Sequence, residues 1–452
     1  HVLAPNGEAI PIIAQAEITD PQLLHVRKIL EEYLKDVPGT QWGNNKDPVA
    51  NALALSNAIL FLLDDESEYD NPNLDALFDA GAKGQDLLAT EIFPEGSNVY
   101  MNSELRDASY EEILHFVHGF GIQNALPSMQ SAIIQSMNNA ISNNNYIPLA
   151  DLPAEDYDEE YLAMALESFF GLWAHDPEGN HWAGGSEYRY INRQEMMVGD
   201  PQGYNIIKEF FGENWRYNVE LPYDFSGDFS LAYIPELAYT NRSRYLKNII
   251  INGNNNVNIT GNEFSNVVLG NNGINIFKGN GKDDYFDGGG GLDRAIFSGD
   301  YDEYAILIGA AWNDSITSIV DFYTERDGVD TLEQVEEFEF NGIVYTIQDL
   351  LSSHDGGVLP TDYRMLPNYP NPFNPKTTIK FELPKSEYVR LVIMDLLGRN
   401  IKTLVEGEIS AGYHNVEWDG TMDNGSPVPS GVYLIVFDSN NYKKSYKALL
   451  IK

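Results

Sequence analysis

The spacing of apolar and polar positions changes period twice along this 452-residue chain. Up to about residue 245 it is mostly helical. Residues 20–37 place an Asp at the cap position, Pro at the first helical position, and apolar residues three and four apart, which predicts a helix. Residues 47–65 pass from helix-like to strand-like spacing, 73–93 begin as a helix, and 10–18 and 97–103 read as strands. Residues 108–122 predict a helix with Ser109 as cap and Glu112 three places on, the pattern of a capping box. Residues 158–175 and 201–211 predict two more helices. Beyond 300 the chain reads as strands and a turn to 350, a linker over 351–366, and short alternating strands with Gly, Pro and Asn turns over 367–452. The expected fold is therefore multidomain α+β: a mostly helical region 1–245, a parallel β-roll 246–350, the linker 351–366, and a small C-terminal β-sandwich 367–452.

The β-roll expectation rests on residues 261–296, which divide into GNEFSNVVL, GNNGINIFK, GNGKDDYFD and GGGGLDRAI. Each block has Gly first, Asn or Asp sixth and an apolar residue eighth, the period of a nonapeptide roll. The glycines are expected to permit left-handed turns, and the eighth residue to enter a narrow core. The sixth residues are Asn258, Asn266, Asn275, Asp284 and Asp293, and the repeat holding Asn258 is one residue short. Alternate turns share a face, so Asn266 should lie over Asp284 and Asn275 over Asp293. Those four side chains are the candidate calcium ligands, with one carboxylate per pair, which implies weak affinity. The plainer reading is a calcium-free solenoid with an asparagine ladder.

Composition narrows the function classes. A formal net charge of −40 argues against nucleic acid as a partner and favours cations. The charge is uneven: residues 361–452 hold 11 basic and 10 acidic side chains, and the rest carries the deficit. With no cysteine, disulfides and thiolate zinc sites are excluded. No run of 18 apolar residues predicts a membrane-spanning helix. The chain opens at His1 without Met, which predicts that an N-terminal segment has been removed.

Candidate catalytic chemistry lies in Glu111-Glu112-Ile113-Leu114-His115. On a helix, Glu111 and His115 are i and i+4 and share a face, with Glu112 beside them. Two metal ligands flanking a carboxylate base suit a metal-activated water. The same residues have a plainer explanation. Glutamates early in a helix are favoured by its dipole, and a histidine in an apolar helix commonly packs in the core. His115 and His118, at i and i+3, form an alternative ligand pair with Glu112. The acidic run Asp64–Asp70 reads as a solvated loop, and Trp182–Glu187 does not match a serine nucleophile motif. Tyr188, Tyr190, Trp215, Tyr217 and Tyr223 either line a polymer cleft or pack in the core.

Three resemblances add to this. Residues 247–350, with the repeats and the closing phrases DRAIFSGDYDEYAI and DGVDTLEQVEEFEF, resemble the RTX calcium-binding roll of serralysin-type proteases. Residues 367–452 resemble the type A sorting domain of type IX secretion, on LPNYPNPFNPKTTIKFELP, VIMDLLGRNIKTL, AGYHNVEWDGTMDNG and SGVYLIVF. That resemblance implies handling by the type IX machinery and a secreted or surface-attached location. The 111–115 stretch resembles the HExxH motif of zincin metallopeptidases in an EExxH variant. It is also similar to secreted bacterial proteins whose E-E-x-L-H helix is followed by one bearing Glu-Tyr, here Glu160-Tyr161. This implies Glu111, His115 and Glu160 as zinc ligands, Glu167 as the alternative third ligand, and Glu112 as general base. Manganese or iron suits two carboxylates and one imidazole as well. His118, His175, His181, Tyr188 or Tyr190 would then stabilise the oxyanion or protonate the leaving group. The combined expectation is a secreted, calcium-stabilised metallopeptidase acting on protein or peptide. The alternative is a non-catalytic calcium-binding surface or matrix protein.

Overall fold

The computed structural model describes residues 1–102, 105–172, 187–308, 316–323, 326–347, 349–350 and 362–451. Helices occupy the N-terminal part and sheets dominate the C-terminal part. The chain forms two compact units. No helix among the described residues is long and apolar enough to cross a membrane. His175, His181, Trp182–Ser186 and linker positions 351–361 lie outside the described residues.

In the first unit, strand Ala58–Leu63 is the centre of a three-stranded parallel sheet, between Ile12–Ala14 and Lys83–Leu88. Its sequence, AILFLL, is buried at every position. An unbroken apolar run is what a parallel strand covered on both faces requires. Helices Asp47–Leu55 and Ser109–Val117 pack against the sheet, Asp20–Leu34 and Tyr157–Phe170 pack on Ser109–Val117, and Pro127–Ser142 and Pro201–Phe211 pack on Tyr157–Phe170. Trp215 stacks on Phe170 at 3.7 Å between ring centres, and Tyr188 and Tyr217 are also buried. Those three aromatics therefore belong to the core and not to a cleft, whereas Tyr223 is exposed.

Several local expectations are corrected. Thr19, not Asp20, caps the first helix, in a capping box with Gln22. Residues Asn98–Asn102 form a helix where a strand was expected. The capping box at Ser109 does not form. Ser109 is already helical, and its N–H donates to Asp107 Oδ1 at 3.0 Å. Glu112 is instead held by Gln85, so its side chain cannot reach back to the helix start. Beyond Val117 the α-helix widens into a π-helical turn, His118–Ile122. Helix Pro127–Ser142 had no counterpart in the sequence reading.

The same unit carries the roll. Strands Val257–Thr260, Asn275–Lys278 and Arg294–Phe297 stack in parallel on one face, and Asn248–Ile251, Val267–Leu269, Tyr285–Asp287 and Val329–Glu333 on the other. The ladder begins before residue 246, because Asn218–Leu221 and Gly227–Ser230 already pair in parallel with the first repeat strands. Eighth-position residues Val268, Phe277, Phe286 and Ala295 fill the interior, and the Phe277 and Phe286 rings stack at 5.1 Å. The expected left-handed turns occur at Gly281, Gly289 and Gly291, but the first glycine of each repeat has another role. Gly261, Gly270, Gly279 and Gly288 do not have positive φ. A Cβ at each would instead collide with the sixth side chain of its own repeat: Asn266, Asn275, Asp284 and Asp293 respectively. Gly261, Gly270 and Gly288 also lie against backbone carbonyls, those of Gly279, Gly288 and Gln334, so close stacking of the coils and the folded-back sixth side chain together require glycine.

The second unit contains an antiparallel sandwich. Strands Arg364–Met365, Thr377–Leu383 and Gly412–Trp418 make one sheet. Asn400–Ile409, Glu387–Met394, Gly431–Ser439 and Lys443–Leu450 make the other. Alternate residues of both sheets meet in a core around Trp418, Phe381, Leu391, Ile435 and Phe437.

Candidate metal centre

Glu111 and His115 lie one turn apart on Ser109–Val117, a helix buried on most of its surface. Glu160 comes from the first turn of Tyr157–Phe170, which packs against it. One ligand atom from each of Glu111, His115 and Glu160 lies within 4.8 Å of the other two. His115 Nε2 is 3.9 Å from Glu160 Oε1, is buried, and makes no hydrogen bond. An unmet imidazole nitrogen facing two carboxylates is the donor set of a borderline divalent cation. The three residues therefore fit a metal ion.

Glu112 stands beside this cluster. Its Oε2 is 3.7 Å from His115 Nδ1 and accepts a 2.7 Å hydrogen bond from Gln85 Nε2. Gln85 sits on the edge strand of the parallel sheet, so the sheet fixes where the carboxylate points. Burial alone would pull the His115 imidazole down. Glu112, Glu160 and Glu159 outweigh it and hold the ring above its ordinary range. Burial pushes the Glu160 carboxyl up, with His115 opposing.

Arg106 closes the cluster on the other side. Its guanidinium contacts Glu111 and donates to Glu167 Oε1 at 3.0 Å. Glu167 is wholly buried, and burial lifts its carboxyl to about 8 despite the pull of Arg106. Glu160, not Glu167, lies in the three-residue cluster, while Glu167 gives one oxygen to Arg106 and keeps its Oε2 buried without a hydrogen bond.

The start of the motif helix is anchored from below. Asp107, which receives the Ser109 N–H, accepts from His25 Nε2 at 2.8 Å. His25 Nδ1 is 3.2 Å from Glu95 Oε2, and Glu95 Oε1 takes hydroxyls from Tyr217 and Tyr110. All of these groups are buried. Burial alone would lower His25, but Glu95 and Asp107 raise it to about 10. Burial alone would raise Glu95, yet His25 and Tyr217 bring it to about 2. The sequence held no local signal for this network, whose members lie 82 residues apart at His25–Asp107.

Of the candidates for oxyanion or proton duty, the two tyrosines are engaged with other side chains. Tyr188 donates to Asp200 Oδ2 at 2.8 Å and Tyr190 to Asn145 Oδ1 at 3.0 Å. Both hydroxyls are committed to the protein interior. A cavity of about 700 Å³ lined by Thr19, Phe93, Asn98 and Phe225 shares no residue with the cluster.

In the roll, the sixth side chains form two inward columns. Asp284 Oδ1 accepts from the Asn266 N–H and Asp293 Oδ1 from the Asn275 N–H, each at 2.7 Å. Asp330 extends the first column by accepting from the Asp284 N–H at 2.9 Å. That residue was missed because it lies 46 positions away. Asn258 leaves the column. It pairs in register with Ile276 and hydrogen-bonds Asp228, since the short repeat shifts it by one place. Asp284 Oδ2 is buried without a hydrogen-bond partner. Burial lifts the Asp284 carboxyl to about 8, and burial with Asp284 lifts Asp330 to about 9. Two carboxylates sharing one buried column fit a bound cation.

Comparison with known proteins bears on the C-terminal sandwich. Residues 371–442 match the family described as FlgD Ig-like domain. The chain is 36% identical over 56 residues to the basal-body rod modification protein FlgD of Escherichia coli (strain K12), covering 12% of this chain and 24% of that one. It thus spans about a quarter of the length of that relative. The FlgD structure from P. aeruginosa matches at 24% identity over 16% of this chain and 58% of that chain, with a TM-score of 0.14. A structure of PorZ, described as a bacterial surface component of the type-IX secretion system of Porphyromonas gingivalis, matches at 19% identity. It covers 33% of this chain and 16% of that chain, with a TM-score of 0.15.

Proposed function

We propose that the N-terminal part is a metal-dependent hydrolase of the peptidase class. The observation that carries this reading is the convergence of Glu111, His115 and Glu160 within 4.8 Å, with His115 Nε2 unmet and Glu112 alongside. A bound divalent ion would supply a water of lowered pKa and polarise a substrate carbonyl. Glu111, His115 and Glu160 would hold it, and zinc, manganese or iron all suit this donor set. Glu112 would take the proton from the attacking water, with Gln85 keeping its carboxylate aimed. The test is transition-metal content of the purified chain. At least one zinc, manganese or iron per chain is expected, with one ion lost in Glu111→Ala and in His115→Ala. Metal content unchanged in both variants would overturn the assignment.

A second reading has its own support. Arg106 already lies against Glu111 and Glu167, an internal counter-cation that satisfies part of the cluster without metal. On this reading the chain is a non-catalytic surface or matrix protein, and the metal measurement separates the two.

The roll is proposed to hold calcium through Asn266, Asn275, Asp284 and Asp293, with Asp330 added to the first column. The sandwich is proposed to be the segment handled by the type IX secretion machinery, which would place the protein outside the cell or on its surface. Asp284→Asn provides a stability test of the calcium site. Asn266 and Asn275 show that an amide fits such a column, donating to Asn262 and Asn271 respectively. In chelator at neutral pH the substitution should change stability little, because burial lifts the Asp284 carboxyl to about 8 and already keeps it mostly uncharged. It should reduce the rise in melting temperature that calcium produces. Thermal melts of both chains with and without calcium check this, and an identical calcium response would sink the site.

A further inference from the structure

We propose a second divalent-cation position on the same helix pair, built from His118 Nδ1 and Glu159 Oε2. The argument starts from Asp158. An ionised carboxylate only accepts, so the Gln130 atom 2.5 Å from Asp158 Oδ2 is its amide nitrogen. The Gln130 oxygen therefore faces His118 Nε2 at 2.8 Å, and Nε2 must carry the hydrogen. In a neutral ring this leaves the lone pair on Nδ1. A ring whose far nitrogen donates to a fixed acceptor is oriented as metal-binding histidines are.

His118 is 0% exposed and its Nδ1 makes no hydrogen bond. That nitrogen faces Glu159 Oε2 at 3.9 Å, too long for a hydrogen bond. The separation is within the roughly 4 Å spanned by two metal–ligand bonds of about 2 Å. There is room on the carboxylate side of the pair. Outside its own neighbourhood, a Cβ on Gly119 would meet only Glu159 Oε2, at 4.0 Å. His118 also opens the π-helical turn, a backbone irregularity that often accompanies functional sites. With one imidazole and one carboxylate from the protein, the remaining positions fall to water or to substrate oxygen. The occupant is a divalent ion that accepts nitrogen, such as manganese, iron, cobalt or zinc.

Cobalt(II) or manganese(II) alone, titrated into chelator-treated full-length protein held in saturating calcium, tests the site. About two ions per chain are expected. Glu159→Gln and His118→Ala should each remove one ion and keep the other, whereas Glu111→Ala should remove only the first. Glu159→Gln decides the matter if His118→Ala fails to fold, since Glu159 lies at the surface of the helix pair. A stoichiometry unchanged by Glu159→Gln overturns the second position. One ion lost on Glu111→Ala but none on Glu159→Gln leaves the first centre standing and removes this one. Loss on Glu159→Gln but not on Glu111→Ala does the reverse.

Discussion

Glu112→Gln is expected to lower hydrolysis of casein by about 10²–10⁴-fold while the metal content stays at the wild-type level. The substitution keeps shape and volume. A glutamine oxygen can still accept from Gln85 Nε2, which now holds Glu112 at 2.7 Å, so the local fold has no reason to change. What it cannot do is take a proton. The ligand set also survives, because Glu112 lies on the Nδ1 side of His115 while Glu160 lies on the Nε2 side. Zymography of the two chains side by side is the measurement. Equal clearing by both would end the general-base role even if the metal were present.

His25→Ala should be the most destabilising single change in the N-terminal part, costing about 3–5 kcal/mol. The imidazole sits between the Asp107 and Glu95 carboxylates, at 2.8 and 3.2 Å, with all three groups buried. Removing it leaves two uncompensated charges in the interior. It also frees Asp107, and with it the N-terminal anchor of the helix that carries Glu111 and His115. The pH dependence has a definite sign. Glu95, lowered from 4.5 to about 2, contributes fully above 4.5 and loses that contribution as pH falls toward about 2. His25, raised from 6.5 to about 10, contributes fully below 6.5 and loses it as pH rises toward about 10. The network is therefore most stabilising between 4.5 and 6.5. Denaturant melts across that range and on both sides of it would show the wild type losing this excess, and the variant lacking it. A variant as stable as wild type near pH 6 would overturn the account.

Features set by near neighbours in the chain were legible in the sequence, and those set by distant ones were not. The nine-residue period locates the inward columns because glycine, sixth and eighth residues act within one repeat. The i, i+4 spacing of Glu111 and His115 is equally local. Glu160 entered only through a resemblance, since nothing in its own surroundings distinguishes it from Glu159 or Glu167. Arg106, Gln85 and the His25 network lie on other elements, and only folding brings them to the motif helix. Helix Pro127–Ser142 escaped notice for a different reason. Its buried positions Met129, Ile133, Met137 and Ala140 follow helical spacing, but Ser, Gln and Asn between them dilute the pattern. The left-handed role expected of the repeat glycines holds at Gly281, Gly289 and Gly291, whereas the first glycine of each repeat is selected by crowding that only the stacked coils reveal.

The early start of the parallel ladder has a consequence for how this protein can be divided. Strands Asn218–Leu221 and Gly227–Ser230 offer finished edges on which the first repeats can register. Each supplies a row of amides and carbonyls to which a strand of the first coil is hydrogen-bonded. A fragment cut at residue 246 would lose those strands and present two bare edges, the kind of surface that recruits other chains. One cut ahead of residue 218 would carry its own starting rung.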